Sequence, residues 1–297
     1  MEEAELIERV KRASPGMKVG DAKVNREGQS NDIVIVDDEW VFRFAKSDAA
    51  AKDLEREAKV LSLLPDHVDL SVPESELLEP GVMKQRMIKG QSLDRHTLFR
   101  QSKVDQERLV EELAHFLFQL HRVPEDELKD AGVGKSPAGE GVWDAIKLFH
   151  ECEEKLFPHL KQYAIDVVRE HFEPVLEGRL SLKSNNVLVH ADLNPSHILW
   201  DPDKGRLVGV IDFGMAGSGD SAMDYAHLIL TYGETPLRQM HLHHRSIGEK
   251  IDRARFYALA IELKMTLSGL KSGDPRWFCA HIGTARDSSP IGMVWKD

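Results

Sequence analysis

The sequence predicts an α+β chain of two lobes: a small β-rich N-terminal lobe over residues 1–90 and a larger, mostly helical C-terminal lobe over residues 91–297. Three observations predict it. Strand-like runs and one long helical pattern occupy the residues before Gly90. Amphipathic helical patterns dominate the residues after it. Within that helical part, two short apolar runs, 187–189 and 207–211, each end in a histidine or an aspartate, as strands that deliver polar groups to a site.

The elements follow in order. Ile33–Val36 and Trp40–Phe44 are β-rich runs about the polar turn Asp37-Asp38-Glu39, a hairpin. From Ala49 to Leu64 the apolar positions Leu54, Ala58, Leu61 and Leu64 fall at helical spacing, and Pro65 ends the run. Val82–Ile88 reads as a further strand closed by Lys89-Gly90. Leu109, Leu113, Phe116, Leu117 and Leu120 mark an amphipathic helix, and Trp143–Arg169 supports others. Helical patterns return over Met223–Leu230 and Ile251–Leu270, and the segment contains no internal repeat.

Composition narrows the function. The 297 residues are 41% hydrophobic and 30% charged, enough to bury a large core, which excludes disorder and a disulfide-stapled mini-fold. Two cysteines, Cys152 and Cys279, are too few for a zinc cluster and read as reduced thiols. The formal charge of −11, from 50 acidic and 39 basic residues, opposes nucleic-acid binding. It suits either solubility or a polycationic ligand. The start Met1-Glu2-Glu3-Ala4-Glu5 is unlike a signal peptide, and no apolar run approaches the roughly 18 residues of a membrane span, so a cytoplasmic monomer is expected.

The chemistry concentrates in residues 187–224. Val187–Val189 delivers the polar loop His190-Ala191-Asp192-Leu193-Asn194-Pro195-Ser196-His197, and Ile198–Trp200 carries it away. Twenty residues beyond Asp192, a second apolar run ends in Asp212-Phe213-Gly214. Two carboxylates on adjacent strand ends divide the work of phosphoryl transfer: one deprotonates a hydroxyl, the other holds Mg²⁺ against nucleotide phosphates. On that reading Asp192 faces the acceptor as catalytic base, and His197 and Asp212 share the metal.

These residues resemble the kinase-like antibiotic phosphotransferases, most closely the aminoglycoside 2″-phosphotransferases, whose loop has the form H-x-D-x-x-x-x-[NH] followed by D-F-G. His190, Asp192, His197, Asp212, Phe213 and Gly214 match it one by one. The resemblance implies a bilobal protein-kinase-like fold, ATP or GTP as phosphate donor, Mg²⁺ as cofactor, and His190 as a structural residue orienting the loop. Gly219-Asp220-Ser221-Ala222-Met223-Asp224 fits the family's G-D-x-x-x-D pattern, with Asp224 capping a helix or bracing the loop from below.

In the small lobe the resemblance implies three parts. Residues 27–32, with Ser30, cover the phosphates, although they lack the three-glycine pattern of protein kinases. Arg43 fills the phosphate-binding lysine position, with Lys46 as the alternative, and Glu57 pairs with the basic residue. Backbone groups of Arg86 and Ile88 read the purine edge. The acceptor is implied to be a cationic aminoglycoside in an acid-lined cleft, with Asp220, Glu234 and Glu262 as candidate contacts. A macrolide or another small alcohol is the alternative acceptor, and a non-catalytic nucleotide-binding module is the alternative class.

Three weaker signals are set aside. Gly132-Val133-Gly134-Lys135-Ser136 lacks the first glycine and the preceding strand of a phosphate-binding loop, and reads as a flexible connection. His241, His243 and His244 crowd together without a complete ligand set and read as a surface turn or helix. Trp277 and Phe278 read as packing residues.

Overall fold

The computed structural model describes residues 3–26, 28, 30–139, 145–273 and 291–294; Trp143, Trp277, Phe278 and Cys279 lie outside them. The chain begins with a helix that the periodicity did not disclose, α1 (Glu3–Ala13), which buries only Leu6 and Val10. Two apolar positions four apart are too few for a pattern. They pack with Val34, Val36, Phe42, Phe44 and Val82 in a small core of their own.

That core lies on an antiparallel sheet of β1 (Ala22–Asn25), β2 (Asn31–Val36), β3 (Trp40–Ala45), β4 (Ser75–Glu79) and β5 (Val82–Arg86), in the order β1-β2-β3-β5-β4. The β2–β3 hairpin turns through Asp37 and Asp38, both left-handed at φ 55° and 49°. Aspartate tolerates that region better than most side chains. Asp37 also accepts the amide of Asp21 at 2.7 Å, and Asp38 pairs with Lys23 at 2.8 Å, so the turn is tied to the loop before β1 and to β1 itself.

Between β3 and β4 runs α2 (Asp48–Leu63). Ser47 accepts the amide of Ala50 at its start, and a 3₁₀ turn carrying Pro65 ends it. Its buried stripe is Ala50, Leu54, Glu57, Val60 and Leu61. A carboxylate in that stripe faces protein, and its partner is described below. The far end of the same helix, Val60 and Leu61, and Leu64 in the turn after it join the core of the large lobe.

The chain crosses at Gly90, where an added Cβ would stand 2.7 Å from Val208 and 3.1 Å from Leu199 Cβ; only glycine fits that approach. There follow β6 (Gln91–Ser92), α3 (Arg95–Arg100), α4 (Lys103–Leu120), α5 (Glu125–Asp130), α6 (Ala145–Glu151) and α7 (Gln162–Leu176). Next come β7 (Asn186–Val189), β8 (Ile198–Asp201), β9 (Arg206–Val210), β10 (Gly217–Asp220), α8 (Ala222–Tyr232), α9 (Glu234–His243) and α10 (Ile251–Ser272). The large-lobe core centres on α8 and α10, with nine residues of α8 buried.

Two expectations change. The runs ending near Asp192 and Asp212 are not neighbouring strands: β7 pairs with β10, and β9 pairs with β8. Hydrophobic runs identify strands without naming their partners. Residues 134–136 are no flexible connection: they lie along β10, with Ser136 N–H on the Ser218 carbonyl at 3.0 Å and Ser218 N–H on the Gly134 carbonyl at 2.9 Å. A missing local signature says nothing about pairing with a strand more than eighty residues away.

Candidate active site

The site is built where β7 and β9 release the chain. After β7, Ala191 takes φ 60°, and after β9, Asp212 takes φ 64°. Left-handed backbone at residues other than glycine is strained and persists only where neighbours enforce it. At the first position the enforcer is Asp224, fully buried on α8. Its carboxylate accepts the amides of Ala191 at 2.7 Å and His190 at 3.2 Å, and His121 Nε2–H at 2.8 Å. Asp224 therefore makes its bonds to the loop beneath which it lies. Burial would raise its carboxyl, but the His121 bond and charge, with His190 and the Ala191 amide, hold it below the usual range.

His190 is fully buried. Its Nε2–H donates to the Ile211 carbonyl at 3.1 Å, and its Nδ1 accepts the Asp192 amide at 3.2 Å. The ring thus joins the two segments that carry the carboxylates, and burial pushes its pKa down, in keeping with a neutral imidazole. Asn194 organises the rest of the loop. Its Oδ1 accepts the Ser196 amide at 3.1 Å, and its Nδ2 donates to Asp192 Oδ1 at 3.2 Å. The Asn-Pro pair at 194–195 is a turn signal.

His197 stands between the carboxylates. Its Nδ1 lies 2.7 Å from the Asp192 carbonyl, which can only accept, so Nδ1 carries a proton, and in the neutral ring Nε2 keeps its lone pair. That Nε2 is 3.4 Å from Asp212 Oδ2, while Nδ1 is 3.6 Å from Asp192 Oδ2. A lone pair and a carboxylate oxygen facing each other repel unless a cation joins them, so the donor set fits a divalent metal. Among the described residues no three histidine, cysteine or acidic side chains form a metal group by themselves. Phosphate oxygens and water would complete the shell.

On the small-lobe side Arg43 donates to both Glu57 oxygens, at 2.6 and 2.8 Å, and its other terminal nitrogen lies 3.5 Å from Asp212 Oδ1. Glu57 is fully buried and Arg43 nearly so. Burial pushes the Glu57 carboxyl upward against the pull of Arg43. Burial also opposes ionisation of Asp212, but Arg43 and the histidines hold its carboxyl below the usual range. Two further residues complete this junction. Gln85 Nε2 reaches Glu57 at 3.4 Å, and Arg56 donates to the Gly214 carbonyl at 2.5 Å. Gln85 had a legible signal, a polar residue on the same face of β5 as buried Met83.

Other predicted positions fall differently. Lys46 donates to the carbonyls of Arg26 and Gly28 and lies 3.3 Å from Asp32, so it pins the loop before β2; Glu27 and Gln29 of that loop lie outside the described residues. The Ser30 carbonyl accepts the Lys46 amide at 2.9 Å. The Arg86 amide already donates to Glu74 at 2.9 Å, which leaves it unable to read a base as a donor. The Ile88 side chain packs on Gly209, at the junction of the lobes.

The three candidate acceptor carboxylates are inside the lobe and not on an open cleft. Asp220 is held by Arg253 at 2.7 and 3.2 Å and by the Tyr257 hydroxyl at 3.0 Å. Glu234 is buried against Arg255, 2.8 and 2.9 Å away, and Glu262 is buried on α10. Their arginine partners lie 21 and 33 residues along the chain, beyond the reach of local pattern.

Residues 21–258 match the model of the phosphotransferase enzyme family. Among curated proteins the chain is 31% identical over 235 residues to viomycin phosphotransferase of Streptomyces vinaceus, covering 75% of this chain and 77% of that one. Among solved structures, the GDP and kanamycin complex of the aminoglycoside phosphotransferase APH(2″)-IIIa superposes with a TM-score of 0.84, at 24% identity over 96% of this chain and 98% of that one. A macrolide 2′-phosphotransferase type I superposes at 0.73, with 22% identity over 98% and 99%. The chain therefore belongs to the phosphotransferase enzyme family, within the aminoglycoside- and antibiotic-phosphotransferase-like superfamily, and is an enzyme that moves the γ-phosphate of a nucleotide to a small-molecule acceptor.

Proposed function

We propose that the acceptor is an aminoglycoside, phosphorylated on a hydroxyl from ATP or GTP, with Asp192 as the base. The observation that carries this reading is the convergence of Asp192 and Asp212 on the His197 ring, at 3.6 and 3.4 Å, with the Arg43–Glu57 pair beside Asp212. Asn194 orients the Asp192 carboxylate, whose open oxygen takes the hydroxyl proton as the acceptor attacks. Arg43, fixed by Glu57, presents its remaining donors to the nucleotide phosphates. His197 and Asp212 would hold Mg²⁺, which supplies charge neutralisation on the phosphates when bound.

Viomycin is the second acceptor to test, because the relative at 31% identity bears that name. Nucleotide consumption measured against kanamycin, gentamicin, viomycin and a macrolide separates the readings. Turnover of an aminoglycoside is expected; turnover of viomycin or the macrolide alone overturns the aminoglycoside assignment. Asp192→Ala should lower kcat at least about a hundredfold while nucleotide affinity stays within about twofold. A variant with near-normal kcat refutes Asp192 as the base.

A further inference from the structure

Behind the catalytic loop lies a cavity of about 170 Å³, bounded by α4, α8 and the turn that precedes α10. It opposes the character of the whole chain. In a protein of net charge −11, its lining includes Arg122, Lys250, His121 and His244, and among the described residues no carboxylate lines it. Neither Arg122 nor Lys250 takes part in an ion pair among the described residues; each lies instead near an aromatic ring. Arg122 lies 4.7 Å from the centre of the Phe118 ring, and Lys250 lies 5.9 Å from that of Tyr225. Phe118 in turn stacks on His244 at 4.9 Å. Burial pushes the Lys250 amine below the usual lysine range, with Arg253 adding to it and Asp220 and Glu249 pulling the other way.

Two cations outside any ion pair among the described residues, with two rings beside them, make a matched set for one class of ligand. We infer that this cavity binds a compact organic anion, an aromatic carboxylate of benzoate size, with the carboxylate between Arg122 and Lys250 and the ring against Phe118 and Tyr225. The volume agrees, since a cavity of about 150 Å³ accommodates benzene. Guanidinium and carboxylate form strong charge-assisted bonds, and they are stronger where aromatic walls exclude water. The occupant would touch His121, whose other face holds Asp224.

The test does not depend on the acceptor. Sodium benzoate and neutral benzyl alcohol are titrated into the intact protein, followed by calorimetry and by the ring NMR signals of Tyr225 and His121. Benzoate should bind saturably, at least about tenfold more tightly than benzyl alcohol, and shift both rings. Arg122→Ala and Lys250→Met, both at the cavity rim, should each weaken benzoate about tenfold and leave the far-ultraviolet spectrum unchanged. Equal affinity for benzoate and benzyl alcohol, no benzoate binding, or undiminished binding in the double variant overturns the inference.

Discussion

Ala191 shows how much one side chain can be asked to hold. Its left-handed backbone costs about 1–2 kcal/mol, and the two amides at 190 and 191 have one carboxylate between them. Truncating Asp224 to alanine strands both amides and His121 in a dry interior. We expect Asp224→Ala to lose roughly 3 kcal/mol in urea unfolding and to lower kcat far more than it raises the nucleotide KM. Equal effects on both constants would point to general loosening instead of loop placement. At this scale the motif residues were legible because the loop is short: His190, Asp192 and His197 lie within eight positions. His121 and Arg56 were not, because each reaches its partner from a distant element and carries no local spacing. The arginine partners of Asp220 and Glu234 were out of reach in the same way, since Arg253 and Arg255 come to them from α10.

Among the elements, β10 is tightly held by its neighbours at Gly217. An alanine Cβ at Gly217 would stand 2.6 Å from the Ser136 amide nitrogen and 2.8 Å from the Gly134 carbonyl oxygen, both backbone atoms. Gly217→Ala should cost about 1–3 kcal/mol and release residues 134–136, visible as faster amide exchange there. Gly134→Ala is the control, because nothing lies within 4 Å of its Cβ. Equal stability of the two variants would refute the packing argument. Six strands, β2, β3, β5, β7, β8 and β9, were readable from their apolar runs, and the long helices from their stripes, whereas β4, β6 and β10 were not. What pattern could not supply was the pairing, as β7 with β10 shows. It also missed α1 and β1, which carry too few apolar residues to make a period.

For the molecule as a whole, acid stability follows from its buried imidazoles. His171 stacks on Phe256 at 5.3 Å and donates to its carbonyl, and burial pushes its pKa down to about 4. The unfolded chain binds this proton at its ordinary value near 6.5, so between about 6.5 and 4 the unfolded state carries more protons. Stability is therefore full above that window and falls as pH drops through it, by an amount on the order of 2–3 kcal/mol for this group. His171→Gln should flatten the stability–pH curve between pH ~6.5 and ~4. His190 and His227 are displaced the same way by burial and leave a residual slope. An unchanged curve in the variant would show that His171 titrates alike in the folded and unfolded states, and would refute the assignment. The net charge of −11 looks different at this scale too. Some of the 50 acidic residues are paired with arginines inside the large lobe, so acidity alone does not argue for a polycationic acceptor. Among the described residues no helix is long and apolar enough to cross a membrane.

The α2 helix, which starts beside the small-lobe sheet and ends in the core of the large lobe, has a consequence for how the chain can be divided. Val60, Leu61, Leu64 and Val68 belong to the interior of the large lobe although they precede the crossing at Gly90. A cut at Gly90 would withdraw four buried side chains from a body that had closed around them, each worth about 1.5–3 kcal/mol if fully buried. The two lobes differ in secondary structure but share a core through the end of α2 and the turn after it, and that seam does not coincide with the linker.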